Sequence, residues 1–271
     1  MSGQSIHPTA IISGDVQLSD GVTIGPYSVL EGKISIGANT TVLAHTLVKG
    51  TTIIGSNCRL GPHATIGYDP QHLKFDGRET YLIIEDNVVV REFASLHRAT
   101  HEGIEHATRV GSNCLLMAGS HVAHDCKVAH HVILTNTVQL GGHVTVGERA
   151  IIGGGTVVHQ FCRIGRISMV AGGEAISKDI LPFSAFIHRR HKGYNAIGCR
   201  RSGMDTATIH AVRAAFHSIH AHHSASQAAK AMRTSGADSN PIVKELVDFI
   251  QSSVRGVQPA GRGSLPGDPM E

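Results

Sequence analysis

The chain has 271 residues, room for one large domain with a smaller appendage, and its 41% apolar content is enough for a core. That core must be aliphatic, because aromatic content is 4% with no Trp, while 31 glycines without a collagen period point to frequent tight turns. A net charge of +3 is too small to argue for nucleic acid, and neither a signal segment nor a membrane span is visible. The five cysteines (Cys58, Cys114, Cys126, Cys162, Cys199) are scattered without a Cys-x-x-Cys pair, which speaks against a disulfide framework or a cysteine zinc site. A soluble, cytoplasmic protein is the expectation.

From the N-terminus onward, an aliphatic residue recurs at every sixth position, from Ile6, Ile12, Leu18 and Ile24 through Leu60 and Ile66. The next residue is often Gly, as in Ile24-Gly25, Ile54-Gly55 and Leu60-Gly61. The phase survives a gap to Ile84, Val90 and Leu96, then slips by two residues and resumes from Val110 through Leu116, Val122 and Leu140 to Ile176. A period of six fits neither a helical stripe nor a hairpin meander. It fits a coil of triangular section with about 18 residues per turn, one inward aliphatic residue per side, and Gly, Asn or Asp at the corners. Stacked coils share one core, since none can bury its inner face alone. Two stretches lack the pattern, 68–82 and 97–109, and are expected to leave the scaffold as loops.

The repeat stops after Pro182, so the coiled domain is expected over 1–182. A connector rich in Arg and His follows from Phe183 to Gly203. Ile209, Val212, Phe216 and Ile219 mark one face of a helix over 205–221. A short helix near 224–233 and another from Asn240-Pro241 to about Val254 complete a helical domain over 183–255, with Asn-Pro as cap and first turn. The Gly- and Pro-rich residues 256–271 are expected to be disordered.

Three clusters carry the chemistry: Ser120-His121-Val122-Ala123-His124-Asp125-Cys126, Gln139-Leu140-Gly141-Gly142-His143, and Val158-His159-Gln160-Phe161-Cys162. His124 and Gly142 lie 18 residues apart, hence stacked one coil on the next, with His143 and His159 along the same outer wall. A histidine suits removal of a hydroxyl proton near neutral pH, and a glycine presents a bare N–H to an oxyanion. Together they suit the needs of acyl transfer to a hydroxyl, which requires no acyl-enzyme; Cys126, two residues from His124 and so expected on the same side of the strand, has no feature of an activated nucleophile. Two other readings stay open. His97, His121, His124 and His143 imitate the three-imidazole zinc site of gamma-class carbonic anhydrases, and the chain could be a non-catalytic hexapeptide scaffold.

The run from Leu115 to Cys162, with His-Val-Ala-His-Asp-Cys, Gly-Gly-His-Val and Val-His-Gln-Phe-Cys, resembles the acyl-[acyl-carrier-protein]–UDP-N-acetylglucosamine O-acyltransferases of lipid A synthesis. The likeness extends to the opening Ile6-His7-Pro8-Thr9-Ala10-Ile11, the loop Gln71-His72-Leu73-Lys74 and Arg200-Arg201. It implies a left-handed parallel β-helix, an exception to the usual right-handed crossover, with a C-terminal α-helical domain. It further implies His124 as general base, Asp125 orienting it, and Gly142 as oxyanion donor. Gln71, Lys74, His121, His143, His159, Gln160, Asn195 and Arg201 match substrate-contacting positions, and Gly172 the position that sets acyl-chain length. The substrates implied are UDP-N-acetylglucosamine, acylated on its 3-hydroxyl, and an acyl carrier protein bearing a 3-hydroxy fatty acyl chain. A homotrimer with sites between subunits is implied, with neither cofactor nor metal. An N-acyltransferase of the same pathway is a rival, but it carries an extra N-terminal domain, whereas here the hexads begin at residue 6. Arg163, Arg166, Arg189, Arg190, Arg200 and Arg201 are candidates for a surface that attracts the acidic carrier protein. The chain departs from the family pattern at His72, Ile197, Ser202 and Ala171.

Overall fold

The computed structural model describes residues 3–260. Over the hexad region the chain forms a left-handed parallel β-helix. Most hexads contribute a two-residue strand, and away from the two insertions and the C-terminal end each strand pairs in parallel with the one 18 residues on. Three walls result. The first runs through Thr23–Ile24, Leu115–Leu116 and Ile151–Ile152; the second through His121–Val122, Gln139–Leu140 and Val157–Val158; the third through Lys127–Val128 and Arg163–Ile164. The hexad aliphatics point inward: Leu60, Ile66, Leu96, Leu116 and Leu140 are fully buried. Two residues earlier in each hexad a second inward position is filled, often by a small side chain such as Cys58, Ala64, Ser120, Cys126 or Thr156. The first coil is an open end, leaving Ile6, Ile11 and Ile12 partly exposed.

Corners differ from expectation in one respect. The left-handed turn residue stands three places after the aliphatic, at Asn39, Asn57, Asn87 and Asn113, and also at His45, His63, Phe93 and Arg149. Asn tolerates this conformation better than most residues. Of the glycines immediately after the aliphatics, Gly25, Gly37, Gly55 and Gly61 are not in that region, while Gly67, at the mouth of the first insertion, is (φ 77°). The former are required by proximity, since a Cβ at Gly61 would lie 2.6 Å from the Arg91 carbonyl carbon of the next coil.

Both insertions leave the same corner, between the second and third walls. The first, between strands Thr65–Tyr68 and Tyr81–Ile84, adds two hexads' worth of residues, so Thr51 pairs with Tyr81 and the phase is unchanged. The second, between Ser95–His97 and Thr108–Val110, separates Ile84 from its partner Val110 by 26 positions, which explains the two-residue slip. Arg98, buried at the base of the second loop, donates to the carbonyls of Gly67 (2.9 Å) and Thr80 (3.2 Å) and pairs with Asp69. One guanidinium thus laces the two loops together.

The first wall continues past the expected boundary at Pro182. Ser184–Ile187 pairs in parallel with Met169–Val170, then turns back through His188 and Arg189 into antiparallel Arg190–Tyr194. This hairpin and helix α1 (Ala196–Arg201) occupy what sequence reading treats as connector. Helices α2 (Thr206–Ala221), α3 (Ala225–Thr234) and α4 (Pro241–Gln251) lie where periodicity places them, capped by Asp205, Ser224 and Asn240. They enclose a second core around Phe216, Leu246, Val247 and Phe183. Residues 256–260 are ordered against the last coil, correcting part of the expected disordered tail: Gln258 is buried and donates its N–H to Asp179. Residues 261–271 of that tail lie outside the described residues.

Candidate active site

The corner from which both loops emerge also carries His124 and Asp125, one coil further along. Asp125 takes the left-handed corner conformation, φ 61°. Its N–H is held by Thr108 Oγ1 (2.8 Å), and its carboxylate accepts from the Thr100 N–H (3.0 Å) and hydroxyl (2.8 Å). Thr100 lies in the second insertion, which thus fixes the carboxylate, and Thr108 opens the strand that follows it and holds the backbone. His124, 8% exposed, places Nδ1 2.7 Å from Asp125 Oδ2. Burial works to raise the Asp125 pKa, but the hydrogen bonds from His124 and Thr100 and the charge of His143 outweigh it and hold the group at about 2. An ionised carboxylate only accepts, so Nδ1 is the donor in this contact and the neutral ring presents Nε2 as its acceptor.

Gly142 stacks directly on this ring. A Cβ there would lie 2.5 Å from His124 Cε1 and 2.8 Å from Nε2, so only glycine fits beside the basic nitrogen. The His143 N–H donates to the His124 carbonyl at 3.0 Å and fixes the rung, and no hydrogen bond from the Gly142 N–H is found among the described residues. The expected stacking of imidazole and amide is therefore present. Cys126, in contrast, faces the core. It is fully buried, its thiol lies 3.2 Å from the Gly141 carbonyl, and burial pushes its pKa up to about 12. It offers no thiolate.

His143 extends along the corner, 3.4 Å from Asp125 Oδ2 and edge-on to His124, and stacks on Phe161 at 4.4 Å. Burial lowers its pKa, against the pull of Asp125. His121 lies on the second wall with Nδ1 2.7 Å from Ser95 Oγ and edge-on to His97. Burial lowers both, His97 to about 4. His159 and Gln160 are exposed one coil beyond Gly141 and Gly142. Gln71 and Lys74 are exposed on the first loop, whose His72 meets the His124 ring edge-on at 5.7 Å. Gly172 is exposed at the far end of the corner before the second wall. Asn195 is not at the imidazole cluster: it caps α1 through Gly198 N and donates to the Ile167 carbonyl. Arg201 is exposed at the end of α1.

Sequence reading missed Ser95, Thr100 and Thr108 as supports, because the insertion of the second loop displaces them from the 18-residue spacing. Phe161, 51% exposed beside His143, was legible as the third member of a corner column and overlooked in favour of its polar neighbours. The donors that converge are His124, Asp125 and His143, whose ligand atoms lie within 4.8 Å of one another. The three-imidazole set of a gamma-class carbonic anhydrase is not assembled, because His97 and His121 pack against each other and Ser95.

Comparison with known proteins shows the family. An acyl-[acyl-carrier-protein]–UDP-N-acetylglucosamine O-acyltransferase from Burkholderia mallei is 47% identical over 258 residues, 93% of this chain and 98% of the relative. The chain belongs to that family. The relative from Burkholderia thailandensis is 46% identical with the same coverage. Residues 179–258 match the family described as domain 2 of UDP-N-acetylglucosamine O-acyltransferase, and residues 33–68 match the bacterial transferase hexapeptide repeat. The crystal structure of the UDP-N-acetylglucosamine O-acyltransferase from Moraxella catarrhalis superposes with a TM-score of 0.85 at 36% identity, covering 93% of this chain and 98% of that one. The UDP-N-acetylglucosamine acyltransferase of Francisella novicida reaches 0.88 at 27% identity, covering 98% and 99%. Among the described residues no helix is long and apolar enough to cross a membrane.

Proposed function

We propose that the protein transfers a 3-hydroxy fatty acyl chain from acyl carrier protein to the 3-hydroxyl of UDP-N-acetylglucosamine, at the lipid A branch of lipid synthesis. The observation that carries this reading is the Asp125–His124–Gly142 stack, a base of fixed tautomer against a bare amide. His124 Nε2 takes the proton of the sugar hydroxyl as its oxygen attacks the thioester carbon. The Gly142 N–H stabilises the oxyanion. As the carbon–sulfur bond breaks, the proton on Nε2 passes to the departing thiolate. Asp125 orients the ring and offsets its charge while it is an imidazolium. No acyl-enzyme is needed, in keeping with the inert Cys126.

His121, His143, His159 and Gln160, with Gln71 and Lys74 on the first loop, are assigned to substrate contact, and Arg201 to the nucleotide. Asn195 is assigned a part in that region through the turn it caps. The working unit is a homotrimer in the cytoplasm with each site between two subunits. Val157, 48% exposed, and Phe161 are apolar surface that a neighbouring prism would cover. The test is mass analysis of product formed by the parent and His124→Ala from acyl carrier protein thioesters and UDP-N-acetylglucosamine. Loss of turnover by about 1000-fold or more with an intact fold is expected for loss of the base; near-normal turnover eliminates the assignment.

A further inference from the structure

The second inward position of each hexad holds small or apolar residues along the upper prism: Ser120, Cys126, Val138, Val144, Ala150, Thr156, Cys162 and Ser168. At the last such position stands Glu174. It is 6% exposed, and its carboxylate accepts from two backbone amides, His188 N–H to Oε1 at 2.6 Å and Arg189 N–H to Oε2 at 3.0 Å.

These two residues form the turn of the terminal hairpin, between the paired Ile187 and Arg190. Both have positive φ, 52° and 60°, the conformation of a two-residue type I′ connection. That turn favours Asn-Gly, whereas His188 and Arg189 both carry a Cβ in the left-handed region. The Glu174 carboxylate binds the two N–H groups that the conformation turns inward.

The position of the turn gives this contact a consequence. Between the first and second walls the corner is stripped of side chains at Gly154-Gly155 and again at Gly172-Gly173, where a Cβ at Gly155 or Gly173 would meet nothing within 4 Å. The Ala171 N–H donates to the Phe186 carbonyl, so the hairpin strand is the next rung of the first wall. His188 and Arg189 therefore stand at the corner one rung beyond Gly172-Gly173, where the bare strip ends. On the adjoining second wall the outward side chains change from His121 and Gln139 to Val157 and Ala175. They lead into a groove of about 420 Å³ lined by Val157, His159, Ala175 and Arg189. An acyl chain starting at the imidazole end would run toward this turn.

We infer that Glu174 is a positioning residue for acyl-chain length, holding the His188–Arg189 turn as the end wall of the acyl groove. The inference rests on the proposed acyl transfer and on Gly172 marking the groove. Its test is competition among acyl carrier protein donors of graded length, read together with amide hydrogen exchange at His188 and Arg189. In Glu174→Ala both amides should exchange faster, and discrimination against a donor two carbons longer than the preferred one should fall about 10-fold, as loss of a wall over two methylenes implies. Turnover of the preferred donor should stay within about 3-fold of the parent, since Glu174 touches no reacting atom. Glu174→Gln, which keeps one acceptor oxygen, should fall between the two and serves if the alanine variant does not fold. Unchanged selectivity in both variants overturns the inference, whatever the exchange rates. Gly172→Met reads the groove separately and should favour shorter donors. No shift there overturns the groove reading and the inference with it, whereas a shift there beside an unmoved Glu174→Ala overturns the clamp alone.

Discussion

At residue scale, the narrowest constraint is the contact between Gly142 and the His124 ring. A methyl group at 142 must displace either the imidazole or the peptide that carries the oxyanion donor, since backbone on one side and a buried ring on the other leave no slack. Gly142→Ala should lower kcat by about 100-fold, the scale of a lost oxyanion donor or misplaced base, with a shift in Tm of only a few degrees; steady-state kinetics beside a thermal melt separate the two. Asp125 makes a second prediction, in pH. Its carboxyl lies at about 2 in the fold, below the ordinary 3.8. A depressed carboxyl adds stability above the unfolded pKa and loses it as pH falls through the folded one, here between about 4 and 2, up to about 2 kcal/mol. The stability deficit of Asp125→Asn should therefore be largest near neutrality and shrink as pH approaches about 2.5, measured by denaturant unfolding at several pH values. A deficit that stays constant with pH would show that the carboxylate charge is not what stabilises this corner. The stacking of histidine on glycine was legible from their 18-residue spacing, while their roles came from the family resemblance. Thr100 and Thr108 were not legible, because an insertion of irregular length conceals which rung its ends will join.

At the scale of the hexad, two kinds of glycine do different work, and substitution distinguishes them. Gly61 sits against the backbone of the following coil with no positive φ, so Gly61→Ala overpacks a contact between two main chains. About 1–3 kcal/mol of destabilisation is expected, by analogy with overpacked cores. Gly119 has φ +67°, and a Cβ there would meet no backbone closely, only the Thr137 Cγ2 methyl at 3.2 Å. Gly119→Ala should cost about 1 kcal/mol, the usual penalty for a left-handed alanine, and Gly119→Asn less. Chemical denaturation of the three variants checks the order. Reading the sequence placed glycine at the corners and so gave one explanation for two positions; the structure separates turn from close approach. Corner stacking was also concealed. Tyr27, His45, His63 and Phe93 form a ladder of rings 4.9–5.1 Å apart, yet a polar or aromatic residue at a turn looks like ordinary surface until neighbouring coils are superposed. The terminal hairpin escaped for a related reason. Its strand pairs with the rung 16 residues earlier, Met169 with Ala185, and the aliphatic period no longer announces it.

At the scale of the whole molecule, the seam between prism and helical domain divides the basic residues that sequence reading grouped together. Arg166 makes a bidentate pair with Glu245 of α4 (2.7 and 2.8 Å) and lies over the Phe183 ring. Arg163 is paired with Asp179, lies over Phe249 and donates to its carbonyl. These two guanidiniums join prism to helical domain, and Arg189, Arg190, Arg200 and Arg201 are exposed. Arg166→Ala should lower Tm by several degrees, because it removes a partly exposed ion pair and the packing of its stem, and leave KM for acyl carrier protein within about 2-fold. Arg200→Glu should do the reverse. An exposed charge steers a partner over roughly a Debye length, about 10 Å at 0.1 M salt, so reversing it should raise that KM about 5- to 10-fold at low ionic strength. The difference from the parent should fade as salt approaches about 1 M, where screening shortens that reach to about 3 Å. KM for UDP-N-acetylglucosamine, followed in parallel, should move much less. A charge reversal at Arg200 that leaves the carrier-protein KM unmoved at every salt concentration would transfer the docking surface away from α1.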